Sequence, residues 1–212
     1  VVSLDRDNAA LNIAWSCDGG WLAMGTKTDS LQLLRVDGTG RPTITARHKC
    51  PPLQQLNELA WSPPGLIFAA MGGPVAASDE GYLAIFQPID DGKALVLVTS
   101  VVAHTGSTNA VRFTHDFTCI ATAGVDSIIN LWDATELAVV RTYDRLETLV
   151  RGLTFSHDGK LLAAASDDKT LHVVRANECI CACSSVRVRA RVPARVLCPG
   201  TAIGLPRNGV PR

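Results

Sequence analysis

Four segments of the chain repeat one pattern. An apolar stretch closes on an aromatic, a polar turn follows, and a stretch rich in small residues comes next. The segments are Ile13-Ala14-Trp15-Ser16-Cys17-Asp18-Gly19, Leu59-Ala60-Trp61-Ser62-Pro63-Pro64-Gly65, Val111-Arg112-Phe113-Thr114-His115-Asp116 and Leu153-Thr154-Phe155-Ser156-His157-Asp158-Gly159. Their aromatic anchors Trp15, Trp61, Phe113 and Phe155 are separated by 46, 52 and 42 residues. A unit of that length cannot bury its apolar face alone and must stack on its neighbours. A period a little above about 40 residues matches one four-stranded blade of a β-propeller per repeat.

The rest of each unit agrees. A second strand is expected at Trp21 to Gly25, Leu66 to Met71, Cys119 to Gly124 and Leu161 to Ser166. Its Ala and Gly content suits a crowded position near a propeller axis. A turn carrying Asp29, Asp79, Asp126 or Asp168 comes next. An alternating third strand is then expected at Leu31 to Val36, Tyr82 to Phe86, Ile128 to Trp132 and Thr170 to Val174. Short strands separated by turn signals argue for an all-β fold. No helical segment long enough for a parallel α/β sheet lies between them. Leu95 to Val102, the most apolar stretch, reads as a buried strand, and Gly72 to Glu80 as a long inter-strand loop.

The third unit is the most complete. It carries Ala103-His104, Thr122, Asp126 and Trp132-Asp133, and so resembles the WD repeat, with its Gly-His pair and closing Trp-Asp. In that family His, Ser or Thr, Asp and Trp form a hydrogen-bonded chain inside one blade. A buried imidazole, carboxylate and indole each need a partner, so His104, Thr122, Asp126 and Trp132 read as a structural network, not a catalytic one. The fourth unit has Ala164 and Val174 where the third has Thr122 and Trp132, and the first two lack the Trp-Asp ending.

From Ala103 to Ala176 the likeness is closer. Ile120-Ala121-Thr122-Ala123-Gly124-Val125-Asp126, Asn130-Leu131-Trp132-Asp133-Ala134-Thr135-Glu136-Leu137 and Phe155-Ser156-His157-Asp158-Gly159-Lys160 resemble the later blades of the THO complex subunit 3 family of WD-repeat proteins. Trp15-Ser16-Cys17-Asp18-Gly19 and Asn57-Glu58-Leu59-Ala60-Trp61 also fit it. The resemblance covers about residues 8 to 176. It implies a nuclear, non-enzymatic scaffold subunit of a THO/TREX-type assembly coupling transcription to mRNA processing and export. Its partners would be other protein subunits of such a complex, with RNA contact indirect or weak. The family's propeller has about seven blades, of which this chain supplies about four. A WD-repeat adaptor in another complex, serving a ubiquitin ligase or chromatin, is the alternative, and a non-functional gene fragment is another.

The repeat occupies residues 1–176 and stops there. Residues 177–212 hold Cys179-Ile180-Cys181-Ala182-Cys183, the alternating Val186-Arg187-Val188-Arg189-Ala190-Arg191-Val192 and a Pro- and Gly-studded end. Six Arg stand against the single acid Glu178, a net charge near +5. Three readings stay open: disorder, a strand with one charged face, or an Arg-rich contact to RNA phosphates. A shifted reading frame would also explain the change in composition. The Cys spacing is not that of paired zinc ligands.

The remaining features exclude more than they assign. The formal charge is zero, so no overall basic excess points to nucleic acid. No apolar run approaches the roughly 20 residues of a membrane span, and no secretory leader follows Val1. Seven cysteines, odd in number and irregularly spaced, fit a reducing compartment better than a disulfide framework. No phosphate-binding Gly loop or nucleophile elbow is present. His115 and His157 share one turn position in two repeats, and Asp90-Asp91 and Asp167-Asp168 fall in expected turns. No catalytic residue, cofactor, metal or small-molecule substrate is expected. Protein contacts favour aromatics and Arg, which leaves Arg35, Tyr82, Arg141, Tyr143, Arg145 and Arg151 as candidates.

Overall fold

The computed structural model describes residues 9–51, 54–63, 65–72, 80–167 and 171–176. Four antiparallel sheets follow one another along the chain, each with its strands in sequence order. The first holds β1 (Ala10–Trp15), β2 (Trp21–Thr26), β3 (Ser30–Val36) and β4 (Pro42–Lys49); the second holds β5 (Gln55–Trp61), β6 (Ile67–Gly72), β7 (Gly81–Ile89) and β8 (Ala94–His104). The third holds β9 (Thr108–Phe113), β10 (Cys119–Gly124), β11 (Ile129–Asp133) and β12 (Val139–Tyr143). The fourth has three described strands, β13 (Val150–Phe155), β14 (Leu161–Ser166) and β15 (Leu171–Arg175). This is the all-β propeller architecture that the repeat implies, with one sheet per blade. The second and third strands fall within a residue or two of their expected places, except that β7 runs three residues past Phe86 to Ile89. Asp79, Asp168, most of the loop after Gly72 and the whole 177–212 tail lie outside the described residues.

The turn after each anchor shows why the units fold alike. In the first, Ser16 Oγ donates to Asp18 Oδ1 at 2.5 Å, Gly20 N donates to the same oxygen at 3.0 Å, and Trp21 N donates to Ser16 Oγ at 2.9 Å. Thr114 and Asp116 repeat the arrangement in the third unit, and Ser156 and Asp158 in the fourth. One hydroxyl and one carboxylate thus close each hairpin by satisfying local backbone donors. These bonds, led by the Ser or Thr hydroxyl, hold the Asp18, Asp116 and Asp158 carboxyls below their ordinary range. The second unit has Pro63 and Pro64 in place of the Asp turn, and there Ser62 Oγ is buried without a partner among the described residues.

Successive blades meet through their first strands: β1 packs on β5, β5 on β9, and β9 on β13. The anchor strands are therefore innermost. The Ala-rich strands β2, β6, β10 and β14 stand second, which corrects the expectation that they line the axis. Their small side chains leave room for the neighbouring blade: Ala69 of β6 shares one buried cluster with Ala23, Leu31 and Leu33 of the first blade. The second and third anchors face the blade before them. Trp61 is 6% exposed and donates Nε1 to Ala14 O at 2.8 Å, and Phe113 meets Phe68 edge-on with centroids 4.8 Å apart. Among the described residues the first anchor has no such cover, and Leu11, Ile13 and Trp15 are 58%, 60% and 54% exposed.

Leu95 to Val102 is not a buried strand. It forms most of β8, the outermost described strand of its blade, paired among the described strands with β7 alone. Val96, Leu97, Val98 and Val102 are all exposed. Apolar composition does not distinguish a strand flanked on both sides from one at an edge.

Candidate functional site

The seam between blades two and three carries the densest polar chemistry. His104 ends β8 and pairs across the ladder with Gly81, so it belongs to the second sheet. Its partners lie in the third: Thr122 on β10, Trp132 on β11, and Asp126 in the turn joining them. The network therefore crosses from one blade to the next, where the sequence placed it inside one. His104 Nδ1 lies 3.1 Å from both carboxylate oxygens of Asp126, and Nε2 lies 2.9 Å from Thr122 Oγ1. Trp132 Nε1 donates to that same hydroxyl oxygen at 2.9 Å. One proton arrangement satisfies every group: Nδ1–H donates to Asp126, the Thr122 hydroxyl donates to Nε2, and the indole donates to Thr122.

Further groups fasten the same seam. Thr105 N donates to Asp126 Oδ2 at 3.0 Å, and Ile128 N to Oδ1 at 3.2 Å. Asn130 Nδ2 donates to Ala103 O at 2.9 Å, and Thr142 Oγ1 donates to Asn130 Oδ1 at 2.7 Å. Burial pushes the Asp126 carboxyl upward, but the hydrogen bond and electrostatic attraction of His104 and the two backbone donors outweigh it. The net result is a carboxyl held below its ordinary value. Nearer the axis, Glu58 of β5 accepts Val111 N at 2.8 Å and pairs with Arg112 of β9. There burial wins and raises the Glu58 carboxyl, against the pull of Arg112.

The other blades replace this network with apolar groups. By strand register, Met24 and Leu34, Ala69 and Phe86, and Ala164 and Val174 take the places of Thr122 and Trp132. Exchanging both partners together leaves no orphaned donor, which makes the swap close to neutral.

A second set of tethers escaped the sequence reading. Asn12 Nδ2 donates to Leu56 O at 2.6 Å, Asn57 Nδ2 to Thr108 O at 2.8 Å, and Asn109 Nδ2 to Val150 O at 2.9 Å. Each asparagine sits at the start of an inner strand and reaches the carbonyl five residues before the next anchor. An Asn three or four residues ahead of three of the four aromatics was the signal. At the fourth blade Arg151 stands in that place and instead makes a two-point contact with Asp167, at 2.6 and 2.8 Å.

The six candidate contact residues are largely occupied within the chain. Arg35 lies over the Trp21 ring and pairs with Asp91 of blade two at 3.2 Å. Tyr82 donates to Glu80 at 2.6 Å. Arg141 lies over Tyr143, whose hydroxyl donates to Arg175 O of blade four at 2.7 Å. Arg145 is exposed and also has an intramolecular partner. Arg35, Arg145 and Arg151 present exposed surface; Tyr82, Arg141 and Tyr143 are half-buried. Among the described residues no helix is long and apolar enough to cross a membrane.

Comparison with known proteins agrees with this architecture. The WD40 family (WD domain, G-beta repeat) matches residues 95–133 and 139–174. THO complex subunit 3 of Arabidopsis thaliana is 28% identical over 167 residues, covering 79% of this chain and 48% of that protein. Protein HIR1 of Cryptococcus neoformans is 30% identical over 102 residues, covering 48% of this chain and 11% of that protein. WD repeat-containing protein AAC3 of Dictyostelium discoideum is 25% identical over 160 residues, or 74% of this chain and 31% of that one. A chain in the crystal structure of the mitotic checkpoint complex superposes with a TM-score of 0.67 at 17% identity, covering 82% of this chain and 50% of that one; it shows the shared propeller fold. The chain thus spans about half the length, or less, of the proteins it matches.

Proposed function

We propose that this chain, which carries WD40 repeats and resembles THO complex subunit 3, is a non-catalytic scaffold in a nuclear THO-type assembly that couples transcription to mRNA processing and export. The observation that carries the reading is the breadth of the likeness. A single alignment with THO complex subunit 3 covers 79% of this chain, whereas the likeness to Protein HIR1 covers about half of it or less. The geometry suits a scaffold. Each described seam is fixed by directional bonds between blades, so surfaces contributed by different blades hold a constant relation to one another. Such pre-organisation lowers the ordering cost of binding a partner. The network residues His104, Thr122, Asp126 and Trp132 serve this rigidity and touch no partner directly. Contacts fall instead on exposed features such as the outer face of β8 and the Arg35 and Arg145 side chains.

The HIR1 likeness favours a second reading, that of a WD-repeat adaptor in a different complex, such as one acting on chromatin. Affinity purification of the tagged protein from nuclear extract, with mass spectrometry of what co-purifies, separates the two. Recovery of THO subunits supports the first reading. A reproducible set without any THO subunit overturns it and leaves the scaffold role standing. A tagged protein found only outside the nucleus overturns both.

A further inference from the structure

The turn position two residues after each anchor is occupied by Cys17, Pro63, His115 and His157 in the four blades. The last two meet across the seam of blades three and four. Their ring centroids are 5.1 Å apart and the rings are inclined at 49°, so they are not stacked. Both side chains are exposed. Among the described residues neither imidazole has a hydrogen-bond partner, and the two rings meet each other.

The turns that carry them are stiff. His115 is held between Thr114 and Asp116, with Phe117 N donating to Thr114 O at 3.0 Å. His157 is held between Ser156 and Asp158, with Gly159 N donating to Ser156 O at 2.9 Å. Beneath them the two anchor strands β9 and β13 pack together. Two unsatisfied nitrogen ligands are thus carried side by side on a rigid frame.

We infer that His115 and His157 form a two-histidine site for a divalent transition metal of the zinc class. The spacing is the argument. Imidazoles bind zinc with Zn–N of about 2.0–2.1 Å, and two of them on one tetrahedral ion have ring centroids about 5 Å apart. The observed centroid separation of 5.1 Å meets that value. Two protein ligands leave the other positions to water, so the site is an open one. Imidazole nitrogens select zinc, nickel, copper and cobalt over magnesium or calcium. The carboxylates of Asp116 and Asp158 are committed to their turns through Oδ1. An ion bound here would join blade three to blade four from outside the sheets, at the seam that Asn109 Nδ2 tethers to Val150 O from within.

Cobalt(II) titration of the purified full chain tests this, because it distinguishes the ligand types. Imidazole binding raises visible absorption, while cysteine binding adds a thiolate charge-transfer band. The expected result is one equivalent taken up without that band. His115→Gln and His157→Gln should each weaken this uptake more than about tenfold, as losing a ligand costs at least as much as losing its supporting partner. His48→Gln, whose ring packs on Phe86 in another blade, should leave it unchanged. Histidine-ring NMR on the unsubstituted chain gives a second readout, with zinc-induced shifts confined to two imidazoles. Uptake that survives either substitution, a thiolate band alone, or shifts spread over all five histidines overturns the inference.

Discussion

Thr122→Val tests whether the seam network acts as a unit. Valine has nearly the shape of threonine, so little volume changes at a residue that is fully buried. What disappears is one hydroxyl that serves two buried groups, accepting from Trp132 Nε1 and bonding His104 Nε2, both at 2.9 Å. His104 and Trp132 are 3% and 4% exposed, so water cannot replace it. An unsatisfied buried polar group costs about 1–3 kcal/mol. With two stranded, a loss of about 2–4 kcal/mol is expected. Trp132→Phe removes one of the stranded donors. In the double variant Thr122→Val/Trp132→Phe the two losses should therefore sum to less than additivity, by about 1 kcal/mol or more. Urea unfolding followed by the fluorescence of Trp15, Trp21 and Trp61 measures this, provided the slope with denaturant is unchanged. A loss below about 0.5 kcal/mol for Thr122→Val, or strictly additive costs, would refute the reasoning.

Three further outcomes follow from the same seams. The Asp126 carboxyl lies below its ordinary value of 3.8, so its ionised form adds stability above that pH, and the gain is lost as pH falls further. Asp126→Asn should melt lower at pH 7 and lose less between pH 4 and 3 than the parent; parallel melting curves would contradict this. Asn57→Ala removes bonds to both Ser107 Oγ and Thr108 O. It should cost about 1–3 kcal/mol and speed amide exchange along β9, with unchanged exchange there counting against the tether. Gly81 lies so close to the backbone of Gly106 and Thr108 that a Cβ would collide with both. Gly81→Ala should cost at least about 1–3 kcal/mol, and a thermal melt within a degree of the parent would show that the segment yields freely.

The anchors and turns were legible because each is a local device. Ser16 with Asp18, Thr114 with Asp116 and Ser156 with Asp158 close their hairpins within a few residues, so composition and spacing carry the whole signal. The four members of the seam network were legible as residues but not as an arrangement. His104 sits next to the third unit in sequence, yet it is the last residue of the second sheet, and a linear repeat does not say on which side of a blade boundary a strand pairs. Valines at 96, 98 and 102 are as apolar as a buried strand's, because only strand order separates an edge from a core. The asparagine tethers were hidden by β-bulges. Asn12 stands three residues before its anchor, whereas Asn57 and Asn109 stand four before theirs. The ladder slips four residues before the anchor in both blades, skipping Leu11 in the first and Asn57 in the second, so the donor follows the bulge in one blade and sits on it in the other.

The contrast among blades bears on what the polar seam is for. Stability alone does not require it, since Met24 with Leu34, Ala69 with Phe86 and Ala164 with Val174 fill the same places with apolar side chains. Apolar contacts are non-directional and tolerate sliding. The chain from Asp126 through His104 and Thr122 to Trp132 does not, because a shift of either blade breaks several bonds together and strands buried groups. Blades two and three are therefore the pair held most firmly in one orientation, and a partner contacting both would meet the surface that changes least. If the scaffold reading is right, substitutions that loosen this seam should weaken partner capture more than equally destabilising substitutions at the seam of blades one and two, such as Asn12→Ala. Comparing Thr122→Val with Asn12→Ala at matched thermal stability isolates that effect. Equal losses of capture would mean that the network only stabilises the fold.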